Sequence, residues 1–231
     1  MPDHYLIFMR EPWVRRVTLL VVLFAGVWVY RTRASGPVDA AAIGQDSAGP
    51  RLRIAIVGNP ADARIAPARE AVAYWNRELL RLRRRVHFDS GTVIADSVPD
   101  ELLRGASSEA VAGRGPATTR LRATLSDLPA DIVIVLSGTD LISFGVPWRE
   151  GSQGIVGMRR ADIPPLSLPN TVRNVVAHEL GHVLGLRHNT DAATLMCGRP
   201  APCRPAAFAS DSSRFFPLTA QDDRRLQARW P

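Results

Sequence analysis

Residues 178–188 read His-Glu-Leu-Gly-His-Val-Leu-Gly-Leu-Arg-His. Side chains four apart project from the same face of an α-helix, so His178 and His182 can present their imidazoles to one metal ion. Glu179 is one step round from that face and can take the proton of a metal-bound water without becoming a ligand. Gly185 stands where the helix must stop in a left-handed turn, which a residue without a Cβ adopts at little cost. That turn brings His188 in as a third ligand from outside the helix. Three neutral imidazoles leave the fourth corner of a tetrahedron open, the arrangement of a catalytic rather than a structural zinc. Zinc so held lowers the pKa of its water from about 15.7 toward about 7 and polarises a substrate carbonyl. Glu179 is the expected general base and later the acid. At this chain's own frequencies of His, Glu and Gly, such a match arises anywhere along it by chance with a probability of roughly 5 × 10⁻⁶.

Elements able to position these residues can be read on both sides of the motif. The stretch from Asn170 to Leu184 reads as the helix that carries it. Ala68, Val72, Trp75, Leu79 and Leu82 are spaced by four, three, four and three, the apolar stripe of a second long helix. Arg51 to Val57 alternates basic and apolar side chains up to Gly58-Asn59-Pro60 and reads as a strand, as does Val86 to Phe88. The continuous apolar run from Asp131 to Ser137 suits a strand buried on both faces. Gly154 to Met158 is a short, glycine-bounded strand. Thr219 and Asp222 have the spacing of a capping box at the start of a last helix running to Trp230. The Ala-, Ser- and Gly-rich stretch from Ala95 to Pro116 gives no secondary-structure reading, and no internal repeat is seen.

Composition bounds the rest. At 231 residues, with 46% hydrophobic and 22% charged residues, the chain is not wholly disordered, collagenous or a coiled coil. All 29 basic residues are Arg, and against 22 acidic ones they give a net charge of +7. Five of these Arg lie in residues 1–33 with only Asp3 and Glu11 beside them, and the absence of Lys reads as a habit of the source genome. A nucleic-acid partner is therefore not expected. Val17 to Tyr30 is an apolar run behind Arg10, Arg15 and Arg16, the layout of a secretory segment. It would span roughly 21 Å as a helix, short of the ~30 Å bilayer core. Residues 1–33 are read as either an uncleaved signal anchor or a cleaved signal peptide, with a buried core helix as the plain alternative. Residues 34–50 read as a flexible linker and 51–231 as the folded domain. That layout places the folded part outside the cytoplasm, anchored to the membrane or secreted. There a Cys197–Cys203 disulfide is expected, contributing at most about 2–2.5 kcal/mol by loop entropy.

The histidine motif resembles that of the metzincin clan of zinc metallopeptidases. Thr194-Leu195-Met196 follows His188 at the interval of their methionine turn, which implies Met196 as a support beneath the metal. Ala71-Val72-Ala73-Tyr74-Trp75-Asn76 and Pro217-Leu218-Thr219-Ala220-Gln221-Asp222-Asp223 resemble the first and last helices of a matrixin-type catalytic domain. The resemblance implies an α+β fold: a twisted, mostly parallel mixed sheet, two long helices of which one carries HExxH, and a small C-terminal subdomain ending in a helix. It also implies that Gly154, Ile155, Val156 and Gly157 form the edge strand that pairs with an extended substrate. Only His4 and His87 remain outside the motif, so a second histidine-built zinc is not expected. Nothing in the sequence supports the structural calcium that the resemblance allows. Both cysteines follow the motif, so no cysteine switch precedes the domain.

The expected function is a zinc-dependent metalloendopeptidase acting on proteins or peptides outside the cytoplasm. A reading from another class is a non-catalytic, membrane-anchored protein that keeps the fold and holds a peptide in its cleft. Arg159 and Arg160 beside the supposed edge strand would favour acidic substrates or serve as plain surface. Phe144 and Trp148 fit a cleft wall or ordinary core equally well.

Overall fold

A computed structural model describes residues 49–112, 117–149, 153–198, 203 and 213–230. The apolar run from Val17 to Tyr30 and the linker up to Ala48 lie outside these. Among the described residues no helix is long and apolar enough to cross a membrane.

The chain order is β1 (Arg51–Leu52), β2 (Ile54–Val57), α1 (Ile65–Arg81), β3 (His87–Phe88), β4 (Thr92–Ile94), α2 (Asp100–Ala112), α3 (Ala117–Thr124), β5 (Ile132–Leu136), β6 (Phe144–Arg149), β7 (Gln153–Met158), α4 (Pro169–Val183) and α5 (Ala220–Arg229). Five strands form one sheet in the order β4-β2-β5-β7-β6, and β1 pairs with β3 beside it. Every pair in the larger sheet is parallel except β6 with β7. The result is the mostly parallel mixed sheet that the sequence led us to expect.

Side-chain alternation along the central strands divides the interior in two. Ile54, Ile56, Ile132, Ile134, Leu136, Val156 and Met158 point to one face and join Trp75, Leu79, Val176 and Leu180 of α1 and α4. Ala55, Val57, Val133, Val135 and Ile155 point to the other and meet Leu103, Ala106 and Leu121 of α2 and α3. Strands covered on both faces have no polar side to show, which is why β5 reads as an uninterrupted apolar run. Each large side chain so enclosed contributes about 1.5–3 kcal/mol of hydrophobic stabilisation. The predicted stripe of α1 is buried in full, from Ala68 to Leu82. The Trp75 Nε1–H donates to the Ala177 carbonyl at 2.8 Å, tying α1 to the motif-bearing helix.

Four features differ from the expectations. Gly154, Ile155, Val156 and Gly157 do not lie at an edge: β7 is flanked by β5 and β6, with Ile155 opposite Val133 on one side and Val146 on the other. The edge is β6, which returns antiparallel to cover β7. The predicted Arg51–Val57 strand is broken at Arg53, whose N–H is taken by the Asp131 carboxylate at 2.8 Å, so β1 and β2 join different sheets. The unread stretch contains α2, with α3 following it. The Glu109 carboxylate of α2 accepts from the Ala117 and Thr118 N–H groups and so caps α3. Gly49 and Pro50, placed in the linker by composition, already pack on the domain, the Pro50 carbonyl accepting from the His87 N–H.

Candidate metal centre

Helix α4 begins with Pro169 as its first residue and is buried along nearly all its length. Its polar residues are buried because they have work on the inner side. Asn174 donates to the Arg214 carbonyl at 2.8 Å and accepts from the Phe216 N–H at 3.0 Å, and Asn170 accepts from the Arg214 N–H at 3.1 Å. The segment leading to α5 is thereby laid along the helix. Arg173 pairs with Glu70 of α1 at 2.6 Å.

The helix ends as the motif predicted. Gly185 has φ +94°, and its N–H and that of Leu186 return to the carbonyls of His182 and Gly181 at 3.0 and 2.8 Å. This is a Schellman ending, which satisfies carbonyls that a helix terminus otherwise leaves open. The Arg229 side chain of α5 lies against the bare face of Gly185. The chain then reverses and delivers His188.

The three imidazoles converge. His178 Nε2 lies 3.1 Å from His182 Nε2 and 3.2 Å from His188 Nε2, and the last two are 3.0 Å apart. His178 Nδ1 is 2.6 Å from the Leu195 carbonyl and His182 Nδ1 is 3.0 Å from that of Leu186. A carbonyl can only accept, so both rings carry their proton on Nδ1 and turn an Nε2 lone pair inward. Burial pushes His182 down to about 4, and the neighbouring His188 acts in the same sense against the Leu186 carbonyl. The ring is therefore neutral at physiological pH, as a ligand must be. Lone pairs held this close repel one another unless a cation lies between them. Three nitrogens about 2.0–2.1 Å from a tetrahedral zinc stand roughly 3.3 Å apart, close to the observed triangle. The donor set thus fits zinc, and among the described residues it is the one group of His, Cys, Asp or Glu side chains so arranged.

The surroundings give roles to residues that the motif did not explain. Met196 is fully buried, and its sulfur lies 2.6 Å from where a Cβ on Gly181 would be. Gly181 thus lets the methionine turn pass directly beneath α4. Asn189 follows the third histidine and ties three segments together. Its backbone N–H donates to Met196 O at 2.9 Å, its side-chain oxygen accepts from the Thr194 hydroxyl at 3.0 Å, and its amide reaches Asp222 at 3.4 Å. Asp222 completes the predicted capping box with Thr219. Cys197 and Cys203 are joined in a disulfide. Gly145 on β6 lies flat on the backbone of Glu179, where a Cβ would come within 2.0 Å of the carbonyl oxygen. The edge strand therefore crosses α4 at Glu179, itself 6% exposed. None of these close approaches is visible in sequence, because each glycine answers to a partner outside its own element.

The remaining candidate residues have partners of their own. Phe144 is core, and Trp148 packs partly against the same cluster. Arg159 and Arg160 are engaged by Asp140 and Asp162 respectively.

Residues 166–197 match a family model described as Met-zincin. The chain also resembles the crystal structure of an archaemetzincin from Methanopyrus kandleri, with 18% identity and a TM-score of 0.46 over 81% of this chain and 98% of that one. A second is metalloproteinase-II from Bacteroides fragilis, with 16% identity and a TM-score of 0.48 over 78% of this chain and 53% of that one. This chain thus spans about half the length of the Bacteroides protein. The stretch that holds His178, Glu179, His182, Gly185, His188 and Met196 is, over residues 166–197, similar to the Met-zincin family.

Proposed function

We propose that this chain is a zinc-dependent metalloendopeptidase of matrixin-like type, acting on proteins or peptides outside the cytoplasm. The observation that carries the reading is the triangle of Nε2 atoms with Glu179 next to it on the same buried helix. His178, His182 and His188 would hold the ion. Zinc, when bound, supplies a Lewis acid that polarises the scissile carbonyl and makes water a nucleophile near neutral pH. Glu179 accepts the proton of the attacking water and passes it to the leaving amine nitrogen. Among the described residues no strand pairs with the outer side of β6, which would offer backbone N–H and C=O groups to an extended peptide, and Gly145 sets that edge against the glutamate.

An extracytoplasmic site of action is supported by the basic and apolar layout of residues 1–33, as anchor or signal peptide, and by the disulfide. The matrixin likeness is supported by Tyr74-Trp75 on α1, by the Met196 turn and by the capped start of α5.

The test is hydrolysis of casein and a broad peptide library by the zinc-loaded full chain, beside Glu179→Ala. Loss of about 10²–10⁴ in kcat/KM, with one zinc retained, is expected of a general acid–base. One bound zinc with peptide affinity and no turnover would instead favour the peptide-binding reading.

A further inference from the structure

We propose that Gly198, anchored by the Cys197–Cys203 disulfide, positions the third histidine, so that the zinc affinity of the centre depends on that disulfide. The inference rests on the reading of His178, His182 and His188 as zinc ligands. His178 is buried between α4 and the methionine turn, whereas His188 is exposed and the surfaces that touch its ring bear on its orientation. One of these is the backbone of Gly198. A Cβ there would lie 2.1 Å from Cγ, 2.3 Å from Cδ2 and 2.4 Å from Nδ1 of His188, so the glycine lies against the face of the ring rather than its edge. The backbone of Gly198 is not in the left-handed region, so conformational freedom is not what position 198 requires. The His188 ring fills the space a side chain would take.

Gly198 is fixed from two sides. Its N–H donates to the Asn189 carbonyl at 3.1 Å, and a parallel bridge pairs Asn189 with Cys197. This ladder is short and local, and alone would open readily. Cys197, 4% exposed and covalently next to Gly198, is bridged six residues on to Cys203. The disulfide thus closes a small ring at the point where the chain passes over His188. Freed of that ring, Gly198 no longer bounds the imidazole, and His188 Nε2 can leave its 3.0–3.2 Å station beside His182 and His178.

The experiment measures zinc affinity by competition with a chromophoric chelator, together with the visible spectrum of the cobalt-substituted protein. Four samples are compared as full chains: wild type, Gly198→Ala, Cys197→Ser/Cys203→Ser, and wild type reduced with a water-soluble phosphine. In the last, phosphine and water become phosphine oxide as the disulfide takes up two electrons and two protons to give two thiols. Serine replaces cysteine in the double variant because free thiols could themselves take the metal. The expected result is one zinc in the wild type and binding 10–100-fold weaker in the other three, as for other residues that orient a metal ligand. A changed cobalt spectrum in Gly198→Ala, whose disulfide is intact, marks an altered ligand geometry rather than a loosened fold. Wild-type affinity and spectrum in Gly198→Ala would overturn the proposal even if the serine variant unfolds. A wild type that binds no zinc would overturn the zinc reading itself, and this inference with it.

Discussion

Gly185 holds φ +94° with Arg229 lying where a side chain would begin, so alanine there meets both a backbone and a steric penalty. Gly185→Ala should lower unfolding stability by about 1–2 kcal/mol, read from the urea midpoint. A second residue sets the acid limb. Burial raises the Asp62 carboxyl, but hydrogen bonds from the Arg64 side chain and N–H outweigh it and hold the group below its ordinary value. In the window between the two pKa values the unfolded chain binds more protons than the folded one. This stability is therefore fully present above the unfolded pKa, near pH 4, and is lost as pH falls through the folded value. Asp62→Asn should flatten stability against pH in that range, measured by urea midpoints from pH 6 downward. The three converging histidines, the neighbouring Glu179 and the turn at Gly185 were legible because helical spacing and a helix stop are local patterns. Gly145, Gly181 and Gly198 were not, because each is required by a remote neighbour: the Glu179 backbone, the Met196 sulfur and the His188 ring.

Among the elements, α1, α4 and α5 could be read because long apolar stripes and a capping box mark them. Helix α2 has the same periodicity in Leu103, Ala106 and Ser107, but two of these three are small, so its buried face looks like a loop composition. That smallness is what packing close to the sheet requires. The edge was misassigned because Gly154 to Met158 was read as a strand and Phe144 to Arg149 was not, so the antiparallel return that covers β7 could not be anticipated. Two predictions belong to this scale. Asn174→Ala removes both clamps on Arg214 and Phe216 and should cost about 1–3 kcal/mol, with faster amide exchange at Phe216. Gly145→Ala should push β6 off α4 and lower kcat/KM at unchanged zinc content, since the Cβ meets backbone that cannot turn aside.

In the molecule as a whole, the metal centre draws on α4, the methionine turn and the Asn189 junction to α5, so loading it bears on global stability. Zinc at a hundredfold over its dissociation constant should add about 2.7 kcal/mol, and chelation should lower the melting temperature by roughly 5–10 °C. Because His178 and His188 are only ten positions apart, some zinc will follow the unfolded chain and trim that difference. The sheet that carries the centre has two rims. At one, β4 has three residues, too few to recruit another chain. At the other, β6 is long enough, but Pro147 has no N–H to offer and interrupts the ladder partway along. A brief extended peptide can be accommodated there, while a second copy of this protein cannot zip along the full strand. The rim is thus guarded against runaway self-association, the hazard that attends a strand with no neighbouring strand on its outer side among the described residues.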